Sequence, residues 1–157
     1  SPGIRIGWVL APREVRDRLQ LVAEATTICP SVLSQHLANK YLRTFAWRDY
    51  MNLAIDRYHE RAQRLDDALA AYAPASVRWT KPHGGFFVWL TLPEGVSAEA
   101  LLPVAIEEGV VFVPGTAFFG DGTGDGNLRL SFSLASPDDI EEGVRRLMRV
   151  VSAATPA

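Results

Sequence analysis

Two arginines stand out for the company they keep. Arg129 lies in Asn127-Leu128-Arg129-Leu130-Ser131-Phe132-Ser133, where alternation puts Leu128, Leu130 and Phe132 on one face of a strand and Arg129, Ser131 and Ser133 on the other. A guanidinium beside two hydroxyls, backed by an apolar face, can offer a bidentate fork to an anion. The competing reading is a surface charge paired across the sheet. Arg5 sits in Ile4-Arg5-Ile6-Gly7-Trp8, pointing away from the Ile4 and Ile6 face. On its own it reads as an exposed strand arginine.

Other constellations fail on their spacing. Asp121-Gly122-Thr123-Gly124-Asp125-Gly126 imitates the opening of a calcium loop, but Phe132 stands where the bidentate Glu belongs and the flanks read as strands. A mobile glycine loop is the simpler reading. The same glycines do not form G-x-G-x-x-G, and no Lys-Ser or Lys-Thr pair follows a glycine run. His36, His59 and His83 have no metal-ligand spacing to one another or to Cys29, so neither a zinc site nor a Cys-His nucleophile is expected.

The elements that must position the arginines can be read from periodicity. Residues 4–11 alternate as a strand closed by Pro12, and residues 13–27 repeat Val15, Leu19 and Val22 at helical spacing. Pro30 then forces a break before a second helix, residues 31–45, expected to bury Leu33, Leu37, Tyr41 and Phe45. The strongest helical signal runs over residues 48–72, where Met51, Ile55, Tyr58, Ala62, Leu65, Leu69 and Tyr72 follow alternating four- and three-residue steps, with Glu60 and Arg64 as an i,i+4 pair. After Pro74 come a short strand over 77–79, a Gly84-Gly85 turn, and a nearly continuous apolar strand over 86–92 expected to be buried on both faces. Ser97 caps a short helix ending near Gly109, which Pro103 can kink or shorten, and residues 110–113 form a further strand stopped by Pro114-Gly115. The Arg129 strand spans 128–133. Ser136, Pro137 and Asp139 announce a last helix with Ile140, Val144, Leu147 and Val151 on its apolar face.

From residue 48 onward the order is helix, strand, strand, helix, strand, strand, helix, which suits a small sheet with helices packed on it. At 157 residues and 48% hydrophobic content the chain is long enough for one ordinary domain and an attached segment. The net charge of −2 is scattered, leaving no electrostatic footprint for nucleic acid or anionic lipid. A single cysteine and the lack of any apolar run near the about 20 residues that span a bilayer point to a soluble protein of a reducing, cytoplasmic compartment. No signal peptide opens the chain, and its start in mid-motif suggests a fragment.

Four segments, covering nearly the whole chain, resemble the C-terminal part of fold-type I (class I/II) aminotransferases that use pyridoxal 5′-phosphate. The nearest types are the 2-aminoadipate/kynurenine enzymes and the aminotransferase-like domains of some GntR-type regulators. Ser1-Pro2-Gly3-Ile4-Arg5-Ile6-Gly7-Trp8 is similar to the stretch that follows the Schiff-base lysine by a few residues, implying that Arg5 holds the cofactor phosphate. Lys81-Pro82-His83-Gly84-Gly85-Phe86-Phe87-Val88-Trp89 resembles a Pro-x-Gly-Gly-x-Phe turn into a central strand, with its aromatics filling the core. Residues 109–119 resemble a loop near the substrate, where Phe118 or Phe119 either touches substrate or packs in the core. Asn127 to Ser133 is similar to the strand whose arginine grips the α-carboxylate, implying substrate binding by Arg129.

The resemblance implies an α/β chain: an α+β small domain over residues 47–157, with a small, mostly antiparallel sheet and helices packed on it. Residues 1–46 are then the strand and helices that end the large cofactor-binding domain. It also implies amino-acid and 2-oxo-acid substrates, a homodimer, and no partner in membrane or nucleic acid through this segment. The sequence departs from the family in one respect: Lys40 and Lys81 are its only lysines, and neither stands in the Ser-Lys context of the Schiff base. The chain therefore holds no catalytic residue and no metal ligand, and is expected to be inactive alone. Two other functions remain open, the effector domain of a transcription regulator and a non-catalytic interaction module.

Overall fold

In the computed structural model, which describes residues 2–156, the chain divides between residues 52 and 53 into two compact units. The second is built on an antiparallel sheet of β1 (Arg78–Trp79), β2 (Phe87–Thr91), β3 (Val113–Pro114) and β4 (Asn127–Ser131), in the order β1-β2-β4-β3. β2 and β4 form its centre, pairing Phe87 with Ser131, Trp89 with Arg129 and Thr91 with Asn127. Alternation then sends Val88, Leu90, Leu128 and Leu130 to one face, where all four are buried.

Helices cover that face. They are α3 (Trp47–Tyr72), α4 (Ala98–Glu107) and α5 (Pro137–Ala154); α1 (Arg13–Thr27) and α2 (Val32–Thr44) precede them in the chain. Leu65 and Leu69 of α3, Leu101 and Ala105 of α4, and Ile140, Val144, Leu147 and Val151 of α5 complete one core with the strand residues. The α5 start is as expected: Ser136 Oγ accepts from the Asp139 N–H at 3.2 Å and donates to its carboxylate at 2.6 Å, with Pro137 in the first turn. Ser97 caps α4 by accepting from Ala100 N–H, and Pro103 sits inside that helix on its exposed side without ending it.

Several expectations need correcting. Residues 4–11 form no strand: Pro2–Ile4 is a 3-10 turn, Arg5 has a φ of 54°, and nothing among the described residues pairs with the rest. A strand exists only through its ladder, and a left-handed residue interrupts an extended run. β2 is buried on one face only, since Phe87 is 45% exposed and Trp89 and Thr91 half-buried. α3, α4 and α5 lie on the other side, so hydrophobicity alone misreported a second layer. The strand expected over 110–113 is confined to Val113–Pro114. Arg64 does not pair with Glu60 but reaches Glu141 of α5 at 3.0 Å.

In the first unit the helices α1 and α2 form where periodicity places them, and Ser31 caps α2 by accepting from Ser34 N–H at 3.3 Å. Neither helix buries a residue: Leu33, Leu37, Tyr41 and Phe45 are all exposed, against expectation. An amphipathic stripe requires a partner surface, which this unit does not supply to them. Among the described residues no helix is long and apolar enough to cross a membrane.

Candidate functional site

The sheet face opposite the helices carries Phe87, Trp89, Thr91, Asn127, Arg129 and Ser131 by alternation. Arg129 is central there, with Trp89 on β2 and Val113 on β3 as its cross-strand neighbours, so no carboxylate stands opposite it. Among the described residues it forms no ion pair, and its Nε is buried without a hydrogen-bond partner. Leaving such a donor unpaired costs on the order of 1–3 kcal/mol, more for a charged group. Ser131 and Ser133 share Arg129's strand face but turn to each other, their hydroxyls 3.0 Å apart.

Aromatic rings hold the guanidinium instead. Its Cζ lies 3.9 Å from the centre of the Phe87 ring and 4.7 Å from that of Phe118. Phe118 ends a 3-10 turn, Gly115–Phe118, and meets Trp89 edge to face at 5.4 Å, while Phe119 lies 6.2 Å from the same indole. Gly115 places this turn. A Cβ there would collide with the Gly124 carbonyl and come within 2.8 Å of Asn127 Cβ, so glycine alone lets the turn approach the end of β4. Asn127 in turn donates from Nδ2 to Thr91 Oγ1 at 3.0 Å, locking β4 to β2 at the site's border.

The sequence singled out Arg129 but took the Phe86 to Trp89 aromatics for core. Phe87 became visible as an arginine partner only through the register of β2 against β4, which lies in no local pattern. Arg5 belongs to the first unit and Arg129 to the second. The Arg5 side chain is exposed and without an ion pair among the described residues. Ser1, where the family-like stretch begins, lies outside the described residues.

The remaining polar groups serve the fold. Asp121 accepts from both the N–H and the hydroxyl of Thr123, and Asp125 accepts from Glu99 N–H at the start of α4. These bonds hold both carboxyls below the usual aspartate range, Asp121 chiefly through the Thr123 hydroxyl and Asp125 chiefly through the Glu99 N–H. Lys81 pairs with Asp66 at 3.3 Å, Lys40 is exposed on α2, and among the described residues no cluster of His, Cys, Asp and Glu can hold a metal.

The family model for aminotransferase class I and II matches residues 1–147. The chain belongs to that family. Among relatives, this aminotransferase chain is 38% identical over 151 residues to the 2-aminoadipate transaminase of Thermus thermophilus, covering 96% of itself and 38% of the relative. It is also 29% identical over 148 residues to YdfD, an uncharacterized HTH-type transcriptional regulator of Bacillus subtilis, covering 94% of itself and 30% of the regulator. Among solved structures, the α-aminoadipate aminotransferase of Thermus thermophilus, complexed with N-(5′-phosphopyridoxyl)-L-leucine, superposes with a TM-score of 0.86 at 37% identity. That match takes in 98% of this chain and 39% of the other. The chain thus spans well under half the length of the relatives it matches, and its fold is that of the C-terminal part of a fold-type I aminotransferase.

Proposed function

We propose that the complete protein is a pyridoxal-phosphate-dependent enzyme that moves an amino group between an amino acid and a 2-oxo acid. The observation that carries this reading is Arg129, a cation without an ion pair among the described residues, with a buried, unsatisfied Nε, on the open face of the sheet in a chain of the aminotransferase family. Its planar fork matches a carboxylate, which amino acid and oxo acid share, so one residue anchors both substrates. Arg5, exposed and without an ion pair among the described residues, suits the cofactor phosphate. These donors fit the two anionic groups involved, and bound pyridoxal phosphate supplies the electron-withdrawing ring and the carbonyl that takes up the amino group. The second unit acts as a small domain that closes over substrate and excludes water.

The lysine that carries the cofactor is not among the residues here, since Lys81 is engaged by Asp66 and Lys40 lies on an exposed helix face. The 157-residue chain alone is therefore inactive, and residues 1–46 complete a large domain supplied by the rest of a soluble, cytoplasmic homodimer. The complete protein, supplied with pyridoxal phosphate, is expected to exchange amino groups between amino and 2-oxo acids while the 157-residue chain does not. Exchange by the chain alone, or none by the complete protein across a broad amino-acid panel, would refute this. The similarity to YdfD supports a second reading, a regulator whose aminotransferase-like domain senses an amino acid or the cofactor. In that case the complete protein carries a basic helix-turn-helix segment and binds DNA.

A further inference from the structure

The Arg129 guanidinium lies against two phenyl rings. Phe87 lies on β2 diagonally across from Arg129, two residues along from its direct partner Trp89, and Phe118 comes from the 3-10 turn. Both rings lie near the guanidinium carbon, at 3.9 and 4.7 Å from ring centre to Cζ, and both are themselves nearly half exposed, at 45% each. Aromatics needed only for the core would sit with Val88 and Leu90 on the buried face. These sit on the open face and touch Arg129, which lacks an ionic partner among the described residues.

A long arginine side chain has several rotatable bonds, and holding it still for a carboxylate costs entropy. Ring faces attract a guanidinium without competing for its N–H groups, since the ring quadrupole has no lone pair aimed in the plane. An acidic neighbour would also hold Arg129, but would neutralise it and occupy its fork. We infer that Phe87 and Phe118 are positioning residues for substrate: they fix the Arg129 guanidinium while leaving its terminal Nη N–H groups for a planar, two-pronged anion. Trp89, edge to face with Phe118, braces the second ring. This rests on the assignment of Arg129 to the substrate carboxylate.

The test uses the complete protein with cofactor bound, and calorimetric binding of 3-phenylpropionate, a carboxylate with no amino group to transfer. Phe118→Leu and Phe87→Leu keep apolar volume and remove the ring. Each is expected to weaken 3-phenylpropionate binding and raise substrate KM roughly 2- to 30-fold, the range from an exposed to a desolvated cation–π contact, with kcat changed less than about threefold if positioning acts on binding alone. Phe118→Tyr should restore both, and in an Arg129→Ala background Phe118→Leu should have no further effect, because the ring acts only through the arginine. If Arg129→Ala abolishes 3-phenylpropionate binding while both leucine variants bind like the parent, the ring clamp is overturned and the carboxylate site stands. The same holds if the leucine losses persist undiminished without Arg129. If Arg129→Ala itself binds unchanged, the carboxylate site falls and the clamp's role falls with it. Unaltered circular dichroism and melting of Phe118→Tyr separate these outcomes from misfolding.

Discussion

At Arg129 the decisive quantity is the mismatch between what the side chain offers and what its neighbours accept. Trp89 and Val113 flank it across the sheet, phenyl rings meet its guanidinium, and its Nε is buried without a partner. Such a deficit calls for an explanation, and the carboxylate proposed above supplies one. In the complete protein Arg129→Ala is expected to weaken amino-acid and oxo-acid binding by about 2 to 5 kcal/mol, the range for truncating one partner of a desolvated charge pair. Arg129→Lys should recover only part of this, because an ammonium keeps the charge and loses the two-pronged geometry. Michaelis constants and rates for both substrates measure it, and unchanged values in Arg129→Ala would remove the residue from the site. Sequence alone made the two faces of the Arg129 strand legible, because alternation exposes the contrast between them. It left Phe87 illegible, because which β2 residue neighbours Arg129 depends on register between strands far apart in the chain.

The elements around the site hold it by close approach and by caps. The 3-10 turn reaches the end of β4 only because Gly115 has no Cβ; the Asn127 carbonyl would lie 2.9 Å from one. Gly115→Ala must push the turn or the strand aside, and is expected to cost about 1 to 3 kcal/mol, as overpacking does. A lower melting temperature together with a raised KM would show that the turn carries Phe118 with it, whereas an unchanged melt would mean the backbones yield freely. The start of α4 is double-secured: Ala98 N–H donates to the Asp125 carbonyl, Glu99 N–H to the Asp125 carboxylate and Ala100 N–H to Ser97. Asp125 is held below its ordinary pKa of 3.8 chiefly by that Glu99 N–H, and Asp66 below the same value chiefly by the Trp79 indole N–H, with Lys81 adding to it. Depressed carboxyls stabilise the fold above their unfolded pKa and lose that contribution as pH falls through the folded one. Thermal melts should therefore fall off below about pH 4, and Asp125→Asn should flatten that decline; an equally steep decline would clear Asp125 of the effect. Ser97 and Ser136 were legible as caps because a cap is a local pattern. Asp125 was not, since it reaches α4 from a loop beyond it in sequence, and the pairing of Arg64 with Glu141 was hidden for the same reason.

For the whole molecule, the contrast lies between a unit that closes its own core and one that does not. Beyond residue 53 the sheet and three helices bury Leu69, Leu90, Leu128 and Val151 almost completely. Before it, Trp8 is 78% exposed, Leu10 100% and Leu33 70%, and α1 and α2 contribute no buried residue. The helices themselves follow from local spacing, which is why their positions were legible. The surface that would cover them was not, because amphipathicity says that a face is apolar and not what meets it. Apolar patches beyond a few hundred Å² are uncommon on soluble monomers, and isolated helices of 15 and 13 residues are marginal without packing. The 157-residue chain is therefore expected to self-associate or to lose order over residues 1–46, while residues 47–157 alone should stay folded and monomeric. Light scattering on both chains, with limited proteolysis of the longer one, measures this. A monomeric 157-residue chain protected throughout residues 1–46 would mean that the exposed faces find cover within one copy, and that the boundary proposed near residue 46 divides a single cooperative unit.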